Sequence, residues 1–215
     1  MFIIRMNFTR KTSRTAKERK YMKGTLTLIG HASLKIHTPS DIVIYIDPYY
    51  EGDYSEPADI ILSTHEHHDH NAVDLPARKA DCTVLRVADT LNPNLTYNRY
   101  EINGVRIDPV IGGGNKNHHP DNMNGYLVSF DGITVYHAGD TAKIPELASL
   151  AGRKIDYAFY PIDGVYTMSP EEATELADLI GAKHNIPMHF FDADPMKFTP
   201  KNLLRMQYGE TIEIG

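Results

Sequence analysis

One stretch constrains this chain more than any other. In "ADIILSTHEHHDH", Ala58 to His70, a run apolar enough to be buried on both faces leads directly into four histidines, a glutamate and an aspartate. A buried strand with that ending sets the polar cluster at the rim of a sheet. If the strand ends at Thr64, His65 and His67 stand two residues apart and face the same way in extended backbone, so they can share one metal ion. Asp69 and His70 follow at the turn and can face a second ion. Imidazole and carboxylate suit Zn²⁺, and also Fe or Mn. Glu66 and His68 fall on the opposite parity and are expected to point away. The bland alternative is a solvated polar loop, and the rest of the sequence has to decide between the two.

At 215 residues, with 41% hydrophobic and 23% charged content, the chain fits one globular domain with a sizeable core. Its single cysteine, Cys82, cannot form an internal disulfide, which is expected of a reducing compartment such as the cytoplasm. Cys82 stands between Asp81 and an apolar run, with no histidine nearby in sequence, and reads as a small buried residue and not a nucleophile. No apolar run approaches the roughly 18 residues of a membrane span. The net charge of −6 is unevenly distributed: residues 1–22 hold seven basic side chains against Glu18 alone. The remainder is therefore strongly acidic, which argues against a nucleic-acid groove on the main domain. The basic arm is open to three readings: a polyanion-binding tail, a targeting segment, or a dispensable extension with the true start near Met22. Its "MFII" is too short for a signal-peptide core, and the basic residues follow it instead of preceding it.

From Thr25 onward, short extended runs alternate with turn residues. "TLTLIGHASLKIHT" alternates apolar and polar, "IVIYID" and "ADIILST" read as buried strands, and a short helix is expected from Asn71 to Lys79 before a strand at "TVLRVA". Asn103-Gly104 and Asp131-Gly132 each suit the positive φ angles of a two-residue hairpin turn. A short helix near Pro145 to Leu150 precedes the strand "DYAFYPI". "SPEEATELADLIG" carries a full helix signature, with Ser169 as N-cap, Pro170 first, Glu172 as reciprocal cap and Gly181 as stop. Ala173, Leu176, Ala177, Leu179 and Ile180 are expected to form its apolar face. "NIPMHF" and "TIEI" close as strands. Many strands with helices mainly in the second half indicate an α+β chain of two sheets faced with helices.

H-x-H-x-D-H after a buried strand resembles the signature of the metallo-β-lactamase-fold hydrolases. "GHAS" and "IDPYY" resemble the first hairpin of their small single-domain branch. "NHHPDNMNGYLV", "YHAGDT", "YTMSPEEA" and "IPMHF" resemble its later motifs, in order, over nearly all of residues 22–215. That branch includes ascorbate-6-phosphate-lactonase-like proteins. The resemblance implies an αββα sandwich, with residues 1–21 as a basic extension and 22–215 as the metallo-hydrolase domain. It also implies that His65, His67 and a third histidine hold one metal, that Asp69, His70 and His189 hold the second, and that Asp140 bridges both. His118 and His119 are both candidates for the third histidine. The resemblance favours His119, because the branch's histidine stands directly before a proline, here Pro120. His31 and Asp47, at strand ends, would orient ligands or be structural. His137 would be a ligand neighbour, substrate-facing or structural, and Tyr166 and Thr167 would line the pocket. His37 and His184 read as surface residues.

Two close cations lower the pKa of a shared water enough for hydroxide to persist at neutral pH. Asp69, besides holding the second metal, is the expected catalytic group that orients this hydroxide or takes its proton. The short intervals between ligands, and the short stretch after His189, exclude relatives with inserted or appended domains. The expectation is a dinuclear hydrolase, Zn being the expected metal, that cleaves a lactone or phosphoester of a small metabolite. It would have no membrane partner and is compatible with homo-oligomers. The alternative is a polyanion-binding protein or nuclease recruited through the arm. The parity argument is tested by metal analysis: His68→Ala and Glu66→Ala are expected to retain the wild-type metal content, and His67→Ala to lose metal.

Overall fold

Turn chemistry decides where each apolar run becomes a strand and where it stops. The structure, a computed structural model, describes residues 3–6 and 23–215. Most of the basic arm, and with it the polyanion reading, lies outside the described residues. In chain order the strands begin with β1 (Ile3–Met6), β2 (Gly24–Gly30), β3 (Ser33–His37), β4 (Val43–Ile46) and β5 (Ala58–Leu62). Next come β6 (Arg78–Leu85), β7 (Leu91–Asn92), β8 (Thr96–Tyr97), β9 (Arg99–Ile102) and β10 (Val105–Ile111). The last five are β11 (Asn124–Phe130), β12 (Ile133–His137), β13 (Tyr157–Pro161), β14 (His184–Met188) and β15 (Glu210–Ile214). Two α-helices, α1 (Val87–Thr90) and α2 (Pro170–Ile180), and 3-10 turns at Pro145–Leu150 and Pro195–Lys197 complete the described elements.

Strands β7 and β8 pair as a separate two-stranded sheet, and the other thirteen described strands form two mixed sheets. One runs β1-β9-β10-β11-β12-β13-β14 and the other β15-β2-β3-β4-β5-β6. Their facing sides share one core, in which Leu26, Ile36, Ile44 and Ile60 of the second sheet meet Ile107, Tyr126, Val128 and Val135 of the first. The two-sheet sandwich expected from the sequence is thus present. Helix α2 packs on β13 and buries Ala173, Leu176, Ala177 and Ile180. The outer side of the six-stranded sheet is covered differently. There Val43, Tyr45 and Ile61 pack under Tyr54 and Val73, from the irregular chain between β4 and β6.

Both hairpin turns form as expected, with Asn103 at φ 51° and Gly104 at 84°, and Asp131 at 47° and Gly132 at 83°. Two expectations are corrected. Residues 71–77 make turns, with no helix, and β6 already starts at Arg78; Pro76 removes an N–H and disfavours a helical Leu75. Leu179 is 52% exposed and does not share the buried face of α2. Ile3–Met6, set apart in sequence as part of an extension, pair in parallel with β9 at the edge of the seven-stranded sheet.

The parallel pairings matter most for the site. β4 and β5 run parallel, as do β12, β13 and β14. Parallel strands end at the same edge, where open sheets of this kind carry their ligands. Asp47, His65 to His70, Asp140, Asp163 and His189 all follow such ends. The capping of α2 gives a direct stability test. Ser169 Oγ accepts from the Glu172 N–H at 3.2 Å, and the Glu172 carboxylate accepts from the Ser169 N–H at 2.9 Å. Ser169→Ala is expected to cost about 1 kcal/mol, read as a fall of about 2–4 °C in the thermal unfolding midpoint.

Candidate metal centre

Three residues beyond β12, past Gly139 at φ 59°, the Asp140 carboxylate is buried in a ring of imidazoles. Its Oδ2 lies 3.2 Å from His189 Nε2, 3.3 Å from His70 Nε2, 3.4 Å from His118 Nε2 and 3.9 Å from His65 Nε2. Around this oxygen the donors fall into two sets. His65, His67 and His118 form one, and Asp69, His70, His189 and His31 the other; within each set the donor atoms all lie within 4.8 Å of one another.

These distances fit a metal better than they fit hydrogen bonds. Two donors on one tetrahedral ion, each about 2.1 Å from it, stand about 3.4 Å apart. His67 Nδ1 to His118 Nε2 is 3.1 Å, and Asp69 Oδ2 to His70 Nε2 is 3.8 Å. His65 Nε2, His70 Nε2, His189 Nε2 and Asp140 Oδ1 are buried without an aligned hydrogen-bond partner. So many orphaned polar atoms converging on one point require a compensating group, and cations placed between the two sets would supply it.

Most of the rings are fixed from behind. Asp47 Oδ2 accepts from His70 Nδ1 at 2.8 Å and from Thr64 Oγ1 at 2.7 Å, and its Oδ1 accepts from the Thr64 N–H. Thr64 Oγ1 in turn lies 3.0 Å from His65 Nδ1, so one buried carboxylate braces a histidine in each set. Asn115 Oδ1 lies 3.0 Å from His118 Nδ1, and Asp163 Oδ2 lies 3.0 Å from His189 Nδ1. The hydrogen bonds to His70, His65 and His118 fix the tautomer and aim the other ring nitrogen at the centre, whereas the Asp163 contact to His189 is a close charge pairing without hydrogen-bond alignment. Asp163 was not identified from sequence. The available signal was its place two residues after β13, the same edge at which Asp47 and His189 were found.

The remaining expectations sort as follows. His119 is corrected to His118: the His119 side chain is exposed, whereas His118 is buried. Asn115 Oδ1 accepts from both the backbone N–H and the ring of His118 and draws it inward, so its neighbour in the chain faces out. Of the roles open to His137, the structure favours the structural one. Its Nε2 bonds the Ala32 carbonyl and its Nδ1 accepts from the Gly139 N–H, which leaves no nitrogen for the centre or a substrate. Thr167 does not line the pocket; it donates to Asp163, behind His189, at 2.6 Å. Tyr166 does line it. His31 reaches Asp69 Oδ2 at 3.2 Å and packs on the His189 ring at 3.9 Å. Glu66 turns outward to Arg86, and the exposed His68 meets Tyr49 at the rim.

Among the protein groups alone, burial is the largest influence on His65, His70, His189, Asp140 and Asp47. It pushes His65 down to about 3, with the charge of His70 adding to the effect. For His70 and His189 burial is outweighed. Asp140 and Asp47 raise His70 well above its ordinary value, and Asp140 and Asp163 raise His189 to about 9. Burial would raise Asp140, but His70 and His189 hold it well below the usual carboxylate range. The same balance, struck with His70, lowers Asp47. The pocket therefore favours positive charge at its centre. Above that centre opens a cavity of about 1090 Å³. Its aromatic walls, with Tyr49, Tyr50, Phe190, Phe191 and Tyr208 beside Tyr166, were mostly missed in sequence because single rings on separate loops leave no pattern.

Comparison with known proteins places this geometry. The beta-lactamase superfamily domain matches residues 25–189. A UPF0173 metal-dependent hydrolase of Thermococcus kodakarensis is 31% identical over 212 residues, covering 86% of this chain and 92% of that protein. Its counterpart in Pyrococcus furiosus is 30% identical, covering 88% and 94%. A solved structure of a candidate metal-dependent hydrolase from Parabacteroides distasonis is 32% identical, with a TM-score of 0.69 over 83% of this chain and 88% of that one. Igni18, a metallo hydrolase from Ignicoccus hospitalis, has the same TM-score of 0.69 at 21% identity, covering 90% and 99%, and supports the fold alone. Elemental analysis separates the adjacent histidines: His118→Ala is expected to lose bound metal, and His119→Ala to keep the wild-type content.

Proposed function

The chain belongs to the beta-lactamase superfamily, and from that premise we propose that it is a dinuclear metal-dependent hydrolase acting on an ester-type bond, a lactone or phosphoester, of a small metabolite. The observation that carries this reading is the Asp140 oxygen with imidazole nitrogens of both donor sets within 3.9 Å. His65, His67 and His118 would hold one ion, Asp69, His70 and His189 the other, and Asp140 would be shared. Zn suits this donor set, as do Mn and Fe. When bound, such ions supply an acidified water and polarise the attacked oxygen.

The protein's own part follows from the lining. Among the described residues the pocket walls contain no serine, threonine, cysteine or lysine, so water is the nucleophile that they can offer. Asp69 is partly open to the pocket, and His31 fixes its Oδ2 at 3.2 Å, so that carboxylate can orient the water and accept its proton. Asp140 and the rings around it stay buried and hold their positions. Cys82 lies away from the pocket, with its thiol pushed up to about 11 by burial, and has no role in this chemistry. A single cysteine also fits the reducing cytoplasm as the setting, with small molecules as partners.

The test is a hydrolysis screen of lactones, phosphodiesters, thioesters and β-lactams with metal-loaded protein. Close to two ions per chain and chelator-sensitive turnover of at least one class are expected. Asp140→Ala is expected to lose at least one ion and to lower kcat/KM by about 100-fold or more. Fully loaded protein inert toward all four classes, or turnover insensitive to chelation, would overturn the reading.

A further inference from the structure

Every exposed tyrosine and phenylalanine ring among the described residues stands on the wall of one pocket. Tyr49 and Tyr50 are each 40% exposed, Tyr166 48% and Phe191 57%, and all four line the cavity above the metal centre. Exposed apolar groups gathered in this way mark a binding surface, whereas scattered ones do not. The rings also touch one another and the floor. Phe191 meets Tyr166 at 6.1 Å and His31 at 5.0 Å, and Tyr49 meets His31 at 5.8 Å, each edge to face. Phe191 is held at φ 38°, a conformation that is costly for a bulky side chain and one that folded proteins retain mainly at ligand sites.

Charge restricts the ligand further. Among the described residues no lysine or arginine lines the pocket; its acids are Glu51 at the rim and Asp69 and Asp140 at the floor. A phosphate or carboxylate remote from the cleaved bond would meet aromatic faces and a glutamate, with no cation among the described lining residues to receive it. A cationic group would be drawn by ring faces as well as by Glu51, so it is the competing ligand that a trimethylammonium tail tests against the larger apolar area of the four rings. Building on the hydrolase reading, we propose that the rim binds an uncharged, apolar part of the substrate, an aromatic ring or alkyl chain, and so holds the attached ester-type bond over the metal centre. Among small metabolites, this selects hydrophobic esters or lactones over phosphorylated sugars.

The experiment uses zinc-loaded protein and hydroxamates that share one metal-binding head on a four-carbon linker, tipped with phenyl, phosphate or trimethylammonium. Acetohydroxamate is the tailless reference, and affinities are read by calorimetry. The phenyl tail is expected to bind about tenfold or more tighter than acetohydroxamate, with Phe191→Ala and Tyr166→Ala each cutting that advantage to less than about threefold. A phosphate or trimethylammonium tail binding tightest, or a phenyl advantage that survives both substitutions, overturns the proposal. 4-Phenylbutan-1-ol, which has no metal-binding head, is followed in parallel by saturation-transfer NMR. If acetohydroxamate fails to bind, the metal-centre reading falls. The alcohol still decides the rim: a signal in the wild type that both substitutions abolish upholds the apolar site, and no signal in the wild type refutes it.

Discussion

The structure turns on one carboxylate oxygen. Asp140 Oδ2 gathers imidazole nitrogens from His65 and His70, which follow the six-stranded sheet, and from His118 and His189, which belong to the seven-stranded one. A buried anion with so many nitrogens around it is tolerable only when positive charge is shared among them. Protons on His70 and His189 can supply part of that charge, and metal ions can supply more. The same cluster therefore closes the open edge of the sandwich and sets the chemistry available there.

Asp47 extends that logic one layer down. It sits at φ 47° directly after β4 and is fully buried, bonding His70 directly and His65 through the Thr64 hydroxyl. One residue thus braces a ring in each donor set, so the two sets share a support as well as the Asp140 oxygen between them. Asp163 does the same for His189 alone and is itself secured by the N–H groups of Val165 and Tyr166. These side chains are consequently held in place by buried partners of the fold itself, the arrangement that a preorganised site needs.

Much of this was legible in sequence wherever a local rule fixed the outcome. Turn pairs at 103–104 and 131–132, the capped helix at 170–180, and the parity of His65 and His67 each depend on neighbouring residues alone. The choice between His118 and His119 did not, because it hangs on Asn115 folding back to catch one ring. The helix expected over 71–79 failed for a local reason as well, since the breaker Pro76 outweighed the surrounding pattern. Asp163 and the aromatic walls were invisible for a different cause. Their roles come from parallel pairing in both sheets, β4 with β5 and β13 with β12 and β14, which brings together strand ends far apart in the chain.

Three strand ends, those of β4, β13 and β14, repeat a simple order. Asp47 is followed by Tyr49 and Tyr50, Asp163 by Tyr166, and His189 by Phe190 and Phe191: on each crossing a polar anchor stands at or near the strand end and a ring follows within three residues. The anchor is pinned by sheet register and by its buried hydrogen bonds, whereas the ring projects from loop backbone into the cavity. Substitutions at the ring positions therefore leave the ligand geometry intact, and substitutions at the anchors do not. Selection can rewrite what the pocket accepts without touching how it reacts, so two descendants of this scaffold can keep every ligand in common and share no substrate at all.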